Sequence, residues 1–316
     1  MYNIGVDLGG TNIAVGIVNE NHELIRKGSV PTKAFRDADE IVKDIAALCE
    51  SLCKDEGLSV DDIESIGIAT PGTALRNTGV VAYANNLPFR DYPIAEKVKS
   101  FFPVKKVIIA NDADAAALGE CVAGAGKGFN DFIMVTLGTG VGGGIIVNGK
   151  LYSGSNFAGG ELGHMVIEHN GAQCSCGRKG CWEAYSSATA IIRMTKEKMN
   201  ECKDSEMWKY SEGNLDNVNG RTAFDCMRAG DKAATEVVET YISYLATGTT
   251  NILNIFQPSV MAFGGGIANE KDNLLKPLAA AVEKEMYGGK LKTALKSATL
   301  GNDAGIIGAA ALLKMS

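Results

Sequence analysis

Apolar and β-branched residues form three short runs near the start of the chain, at residues 2–6, 13–18 and 24–30. Val and Ile are frequent in these runs and favour strands, while the residues between them are glycines or polar residues typical of turns. The pattern predicts three consecutive strands that pair as an antiparallel meander.

Helical spacing follows, because apolar residues recur every three or four positions over residues 37–56. This spacing predicts a helix with one side toward the core. Two short apolar runs, at 63–69 and 107–110, predict buried strands. The Ala-rich segment 113–123 predicts a helix directly after the second of them.

The opening pattern returns in the second half of the chain. Residues 132–137 and 145–147 predict strands on either side of a glycine-rich turn at 138–144. Asn148-Gly149 then predicts a tight hairpin that leads into a third strand. This repetition predicts two similar lobes, each opening with a meander that carries a glycine-rich turn.

The rest of the pattern completes these lobes. Helices are predicted at 191–202, 233–256 and 303–314, and a buried strand at 259–263. A polar insert at 204–219 has no predicted role. We expect a small lobe over residues 1–118 together with the C-terminal helix 303–316, and a large lobe over 119–302.

Composition narrows the possible functions. The 316 residues carry a formal net charge of −6, which argues against a broad nucleic-acid-binding surface. No apolar run is long enough to span a bilayer, and the N-terminus lacks the features of a signal peptide. We therefore expect a cytoplasmic protein without membrane or nucleic-acid partners, in which thiols stay reduced.

Three of the eight cysteines, Cys174, Cys176 and Cys181, lie within eight residues of one another. Three thiolates and one imidazole form a closed tetrahedral set that is typical of structural Zn²⁺. The fourth ligand is His164 or, nearer in sequence, His169. The other cysteines are scattered, and we interpret them as buried or incidental thiols: Cys49, Cys53, Cys121, Cys202 and Cys226.

Residues 138–143 match the pattern G-x-G-x-x-G. A dinucleotide-binding turn of this kind must be followed by a helix, whereas a strand is predicted here. The partner motifs of protein kinases and a Walker loop are also missing. The glycines therefore predict a hairpin whose backbone N–H groups can approach a phosphate, with a merely tight β-turn as the alternative.

The first glycine turn has a carboxylate beside it, that of Asp7. Such a carboxylate can hold Mg²⁺ directly or through water, and the Thr11 hydroxyl can reach a γ-phosphate. Capping of the turn is the alternative role for Asp7. We predict nucleotide contacts at both turns, from Asp7, Gly9, Gly10, Thr11, Gly138, Thr139 and Gly140.

Six segments then fall in a recognisable order. They are DLGGT (7–11), ND (111–112), LGTGVGGG (137–144), GGELGHM (159–165), CSCGRKGCWE (174–183) and GGG (264–266). In this order the chain resembles the ROK family of sugar kinases and repressors, and most closely its bacterial glucokinases. The resemblance implies an α/β, actin-like ATPase (ribonuclease H-like) two-lobed fold with a central cleft. It also favours His164 over His169 as the fourth zinc ligand.

The resemblance implies ATP-dependent phosphorylation of the 6-hydroxyl of glucose, and we assign Asp112 as the general base. The predicted sugar contacts are Gly72, Asn85, Asn86, Asn111, Asp112, Glu161, His164 and Glu183. The adenine would lie beside Gly264, Gly265 and Gly266. A solvated surface position is the alternative for each of the carboxylates taken alone.

Two positions depart from the family pattern. Asn12 stands where Lys is frequent after the Gly-Gly-Thr, and Asp114 stands where Asn is frequent after Asn-Asp-Ala. Asn12 should be neutral. The effect of Asp114 on the proposed base, two residues earlier, is open.

Two other functions fit parts of the pattern. A sugar-responsive repressor would carry a helix-turn-helix module ahead of the first strand, and none is expected because that strand begins at residue 2. A sugar-binding regulator without catalysis would not need Asp7, Asp112 and both glycine turns. We therefore expect a homodimeric or homotetrameric kinase that uses ATP, Mg²⁺ and structural Zn²⁺. Glucose is the expected substrate, with fructose, mannose, allose and N-acetylmannosamine as alternatives.

Overall fold

The computed structural model describes residues 1–315. The chain divides into two compact units. The first comprises Met1–Met134, Gly144–Gly160 and the chain from Thr299 onward, and the second comprises Val135–Gly143 and Glu161–Ala298. The lobes expected from the sequence stay a prediction.

The elements confirm most of the predicted strands and helices, with ends shifted by a few residues. The strands are β1 (Tyr2–Leu8), β2 (Asn12–Val18), β3 (Leu24–Pro31), β4 (Ile63–Thr70), β5 (Thr73–Leu75), β6 (Val80–Tyr83), β7 (Arg90–Tyr92), β8 (Val107–Asn111), β9 (Phe132–Leu137), β10 (Val141–Val147), β11 (Lys150–Tyr152), β12 (Val260–Gly264) and β13 (Ala294–Ser297). The helices are α1 (Ala38–Asp55), α2 (Ile94–Phe101), α3 (Asp112–Ala123), α4 (Glu183–Ser186), α5 (Ala188–Glu201), α6 (Glu206–Tyr210), α7 (Thr222–Arg228), α8 (Lys232–Phe256), α9 (Asp272–Glu285) and α10 (Ala304–Met315).

A five-stranded sheet with the order β3-β2-β1-β4-β8 forms the centre of the first unit. β1 pairs antiparallel with β2, and β2 with β3, which confirms the predicted meander. β4 and β8 extend the sheet in parallel on the other side of β1. The carboxyl ends of parallel strands meet at one edge of a sheet, where sites of α/β proteins lie. Here that edge carries Asp7, Gly72 and Asn111.

The C-terminal helix α10 packs on one face of this sheet where the strands carry glycine. A Cβ on Gly5 would lie 1.8 Å from the carbonyl oxygen of Ile306, and one on Gly67 would lie 1.8 Å from that of Ala309. Any side chain at these two positions would push the helix away. Alternate residues of β1 point to the opposite face and join a hydrophobic core with the apolar side of α1.

A small sheet, β5-β6-β7, and helix α2 fill a stretch for which no element is predicted above. Its strands pair antiparallel and are only three or four residues long. Such short strands leave no period-two pattern to recognise in a sequence. The connection between β6 and β7 carries Asn85 and Asn86.

The other large sheet has the order β11-β10-β9-β12-β13. Strand β10 already begins at Val141, so the glycine turn covers 138–140 and is shorter than the predicted 138–144. In the second unit the long helix α8 packs against α5, α7 and α9. Trp182, fully buried, lies against Gly248 of α8, where a Cβ would come within 2.2 Å of the indole ring.

The polar insert at 204–219 is structured. It contains α6 and a short 3-10 turn, Leu215–Asn217. Met207 is buried, and the indole N–H of Trp208 donates to the carbonyl of Met199 at 2.8 Å. The segment is therefore packed against the end of α5. Among residues 1–315, no helix has both the length and the apolar composition that a membrane crossing requires.

Candidate functional site

The first glycine turn is held in a fixed shape within the first unit. The Gly9 amide donates to the carbonyl of Asn12 at 2.9 Å, and the Thr32 hydroxyl donates to the carbonyl of Gly9 at 2.6 Å. The Thr32 amide also donates to the carbonyl of Thr11 at 2.8 Å, while the Thr11 side chain is exposed. A Cβ on Gly10 would lie 3.3 Å from the Cβ of Asn86. A predicted sugar contact therefore lies directly beside the predicted phosphate turn.

Asp7, near the end of β1, is a carboxylate in an unfavourable environment for its charge. Burial, and then the charge of Asp112, raise the pKa of Asp7 to about 6. Helix α10 comes so close that a Cβ on Gly305 would lie 2.5 Å from Asp7 Oδ2. A divalent cation would relieve both the burial cost and the repulsion from Asp112. The donor chemistry of this pair therefore fits the predicted Mg²⁺.

Asp112 is the first residue of α3, and Asn111 caps that helix. The Asn111 side-chain oxygen accepts from the amide of Ala113 at 2.9 Å, and its amide nitrogen donates to the carbonyl of Gly72 at 3.1 Å. Burial raises the pKa of Asp112, and the hydrogen bond from the Ala113 amide, 2.9 Å from Oδ1, partly offsets this rise. A carboxylate with a raised pKa is a better proton acceptor near neutral pH.

Two further predicted contacts belong to the same unit. Gly72 has a φ of +87°, and a Cβ there would lie 2.0 Å from the carbonyl oxygen of Tyr83, so only glycine fits. Asn85 and Asn86 are exposed, and the Asn85 side-chain oxygen accepts from the Tyr83 hydroxyl at 2.9 Å. The first unit thus brings Gly72 into contact with Asn111, and Asn86 next to Gly10.

The second glycine turn, residues 138–140, is closed by a hydrogen bond from the Gly138 amide to the carbonyl of Gly140 at 3.0 Å. The Glu183 carboxylate packs beneath it. A Cβ on Gly140 would lie 2.3 Å from Glu183 Oε2, and this same oxygen accepts from the Val141 amide at 3.0 Å. Glu183 Oε1 accepts from the hydroxyl of Ser175 at 2.9 Å. Glu183 therefore joins the cysteine loop to the glycine turn.

Within residues 1–315, four side chains converge as candidate metal ligands: His164, Cys174, Cys176 and Cys181. Their ligand atoms all lie within 4.8 Å of one another. The sulfurs of Cys176 and Cys181 are 3.7 Å apart, and a tetrahedral site with zinc–sulfur bonds of about 2.3 Å requires about 3.8 Å. His169, the alternative ligand, is exposed and lies outside this group.

Local hydrogen bonds shape the metal-ligand loop. The Cys174 amide donates to the carbonyl of Arg178 at 2.9 Å, and Gly177 and Gly180 adopt φ values of +89° and +79°. His164 follows Glu161 on a short 3-10 turn, and its Nδ1 lies 3.7 Å from the sulfur of Cys174. Since Nδ1 faces the sulfurs, Nε2 is the ring nitrogen left for a second partner.

The third glycine segment, Gly264-Gly265-Gly266, begins with the last residue of β12. A Cβ on Gly265, whose φ is +84°, would lie 2.5 Å from the carbonyl oxygen of Leu137, whereas a Cβ on Gly266 would meet open space. Gly266 lines a pocket of about 380 Å³, together with Arg221, Arg228, Asn269, Glu270 and Asn273. None of these five side chains is predicted from the sequence. They come from α7 and the residue before it, a 3-10 turn and α9, and no local motif connects these segments.

Comparison with known proteins identifies the family. The profile of the ROK family matches residues 3–316. The glucokinase of Halalkalibacterium halodurans is 36% identical over 318 residues, which cover 98% of this chain and 94% of that protein. That of Thermotoga maritima is 35% identical and covers 98% of this chain and 96% of its own length.

A similar solved structure is the ROK family glucokinase from Streptomyces griseus in complex with glucose and AMPPNP. It is 33% identical, superimposes with a TM-score of 0.78, and the match covers 99% of both chains. The predicted family and the predicted actin-like ATPase fold are both confirmed, and the chain belongs to the ROK family.

Proposed function

We propose that this chain is an ATP-dependent glucokinase that phosphorylates glucose at its 6-hydroxyl. The similarity to named glucokinases over nearly the full length supports this proposal. The observation that carries it is the position of Asp112 at the start of α3, next to Asn111 and close enough to Asp7 to raise the pKa of Asp7, while desolvation raises the pKa of Asp112 itself.

In this mechanism Asp112 accepts the proton of the 6-hydroxyl while that oxygen forms a bond to the γ-phosphorus. The bond between the γ-phosphorus and the β,γ-bridging oxygen breaks, and ADP leaves with that electron pair. Mg²⁺, when bound, neutralises charge on the phosphates, and Asp7 would hold it. Backbone amides of the turns at 9–11 and 138–140 would bind phosphate oxygens.

Recognition of the two substrates falls to the remaining predicted residues. The pocket beside Gly266 would take the adenine. Asn111, fixed by its hydrogen bond to Gly72, would pair with a sugar hydroxyl. Glu161 and Glu183 would add carboxylate acceptors for further hydroxyls, because such groups match adjacent hydroxyls of a hexose.

The same proposal includes a structural Zn²⁺ held by His164, Cys174, Cys176 and Cys181. With all four positions filled by protein, the ion braces the loop and activates no water. His164, once held on zinc through Nδ1, would keep its ring fixed, so that Nε2 could donate to a sugar hydroxyl. Glu183 begins α4, two residues after Cys181, and is oriented by the same loop.

A homodimer or homotetramer acting in the cytoplasm completes the proposal, on the strength of the family resemblance. Light scattering of the purified protein gives the mass of the particle. A monomer at micromolar concentration would contradict this part and leave the kinase assignment intact.

Initial rates with ATP and Mg²⁺ across a panel of sugars test the kinase assignment. We expect the highest kcat/KM for glucose, with glucose 6-phosphate and ADP formed in equal amounts, and no turnover of 6-deoxyglucose, which lacks the reacting hydroxyl. A higher kcat/KM for fructose, mannose, allose or N-acetylmannosamine would replace glucose as the substrate. Sugar binding without ADP formation would overturn the enzyme assignment.

A further inference from the structure

Three polar side chains meet in the interior of the first unit: Asp114 on α3, Ser153 directly after β11, and Arg76 directly after β5. The Ser153 hydroxyl donates to Asp114 Oδ2 at 2.8 Å and accepts from Arg76 Nη2 at 3.2 Å. Asp114 is 5% exposed and Ser153 is 8% exposed. A carboxylate and a guanidinium are therefore joined through one buried hydroxyl.

Asp114 and Arg76 lie on segments that carry predicted site residues, and Ser153 shapes a neighbouring loop. Asp114 lies in the first turn of α3, two residues after Asp112. Arg76 lies four residues after Gly72, whose carbonyl accepts from Asn111. Ser153 closes the turn at 153–159, since its carbonyl accepts from the Gly159 amide at 2.9 Å. The hydroxyl of Ser153 thus links the first turn of α3 to two separate chain segments.

We infer that Asp114, Ser153 and Arg76 form a positioning network that fixes the first turn of α3, and with it Asp112, for phosphoryl transfer. The inference rests on the proposed function, because it assigns the network an effect on the reacting carboxylate. It also answers what Asp114 does at a position where the family pattern more often has Asn. The negative charge of Asp114 offsets the positive charge of Arg76, and its carboxylate holds the first turn of α3 through the hydrogen bond from Ser153.

Charge balance explains why the network depends on both ionic members. Burial lowers the pKa of Arg76, and the charge of Asp114 raises it. Within residues 1–315, Arg76 Nε is buried and has no hydrogen-bond partner. The guanidinium therefore depends on the nearby carboxylate to offset its burial. Removing one charge leaves the other buried without its counter-charge, which costs more than removing both.

The first turn of α3 is the part that responds to such a change. In this turn the amide of Ala113 donates to the side-chain oxygens of Asn111 and Asp112. A buried guanidinium without its carboxylate would draw in water or another acceptor and shift this turn. A displacement of about 1 Å at a reacting group can cost about 100-fold in rate.

A double-mutant cycle on the full chain tests the inference. The variants are Asp114→Asn, Arg76→Gln and the double variant, with kcat and the KM for glucose measured at a temperature well below every Tm. We expect each single variant to lower kcat at least about tenfold with KM changed less than about threefold, because the displaced group acts only in the transition state. The double variant should recover to within about threefold of the wild-type kcat.

Ser153→Ala removes only the bridging hydroxyl and should lower kcat in the same direction. Ser155→Ala is the matched control, because Ser155 is an exposed serine of the same turn and should keep the wild-type kcat. If the single variants lower Tm while kcat per folded enzyme stays at the wild-type value, the network is purely structural and the inference is wrong. Additive losses in the double variant would also overturn it.

The outcome distinguishes this inference from the proposed function. A wild-type chain without activity on any hexose would overturn the proposed function and the positioning role together, while the Tm values would still report whether the two charges are coupled. An active wild type with unaffected single variants would overturn only the positioning role.

Discussion

The metal-ligand cluster of the second unit and the acid pair of the first unit hold reactive side chains in opposite ways. In the cluster, His164 and the three cysteines turn their ligand atoms toward one point. In the pair, desolvation is the main cause that raises the pKa of both Asp7 and Asp112. Side chains that converge as a full ligand set suit a structural role. Carboxylates with raised pKa values suit the roles proposed for this pair, which are to hold a cation and to accept a proton.

Glu120 shows that burial alone does not produce a reactive carboxylate. It is fully buried at the other end of α3 from Asp112. Its oxygens accept from the amides of Ala125, Thr299 and Leu300 at 2.8, 2.7 and 2.6 Å, and from the Thr299 hydroxyl at 3.2 Å. The number of donors therefore distinguishes Glu120, which we interpret as structural, from Asp112, which we propose to be functional, on the same helix.

Removal of a metal ligand should give the largest effect. Cys181→Ala takes one thiolate from the cluster, and a structural zinc site contributes on the order of 10 kcal/mol of binding free energy. We expect the bound zinc, measured by plasma mass spectrometry, to fall from about one ion per chain to a trace. The KM for glucose should rise at least about tenfold, because His164 loses its orientation.

Cys202→Ser is the matched control for the metal prediction. Cys202 is a half-buried thiol outside the cluster, at the end of α5, and this variant should keep both its zinc and its activity. Full activity of a zinc-free wild type would show that the cluster does not brace the sugar site.

Replacement of the proposed base should give the next largest effect. Asp112→Asn keeps the size of the side chain and an oxygen that can accept from the Ala113 amide. It cannot accept a proton, so kcat should fall about 100-fold or more, equivalent to about 3 kcal/mol. Binding of glucose, measured by calorimetry, should stay close to wild type. An unchanged kcat at saturating substrates would remove Asp112 from the role of base.

Local patterns explain what the sequence alone could predict. The opening meander, the glycine turns and the spacing of the cysteines each lie within a short stretch of chain, so composition and spacing reveal them. Even the choice between His164 and His169 depended on the family pattern, because both lie near the cysteines in sequence. The structure adds the direction of the ring, with Nδ1 toward Cys174.

Long-range packing explains what the sequence could not predict. The repulsion between Asp7 and Asp112 requires that β1 and β8 end at the same edge of one sheet. Two of the residues that donate to Glu120, Thr299 and Leu300, lie about 180 residues later in the chain. The pocket beside Gly266 likewise draws on residues from α7 and α9. No spacing rule links positions that only the fold brings together.

Neutralising Asp7 should stabilise the protein in the absence of Mg²⁺. The folded state holds this proton up to about pH 6, whereas an unfolded chain releases it near pH 4. The folded state therefore binds more protons between these values, and its stability falls as the pH rises through that window. Asp7→Asn should remove this loss, with a gain in unfolding free energy that is small near pH 4 and reaches at most about 3 kcal/mol at pH 7.

Denaturant unfolding at several pH values measures this gain. The same variant should lose most of its kinase activity, because it also loses the oxygen proposed to hold Mg²⁺. If the difference in unfolding free energy between Asp7→Asn and the wild type stayed constant from pH 4 to pH 7, the pKa of Asp7 would not be raised in the folded state.

The smallest effect is expected at Glu120. Its replacement should lower stability and leave kcat unchanged, whereas replacement of Asp112 should lower kcat and leave stability unchanged. In Glu120→Gln, the side-chain NH₂ group replaces an oxygen that accepts two hydrogen bonds, so donors face donors in a buried place. The free energy of unfolding should fall by about 2 kcal/mol, with kcat per folded enzyme unchanged. Asp112→Asn should lower kcat without lowering stability, so denaturant unfolding and initial rates on both variants complete the test. If Glu120→Gln also lowered kcat, the α3 carboxylates would be functionally coupled, and the number of donors would no longer separate their roles.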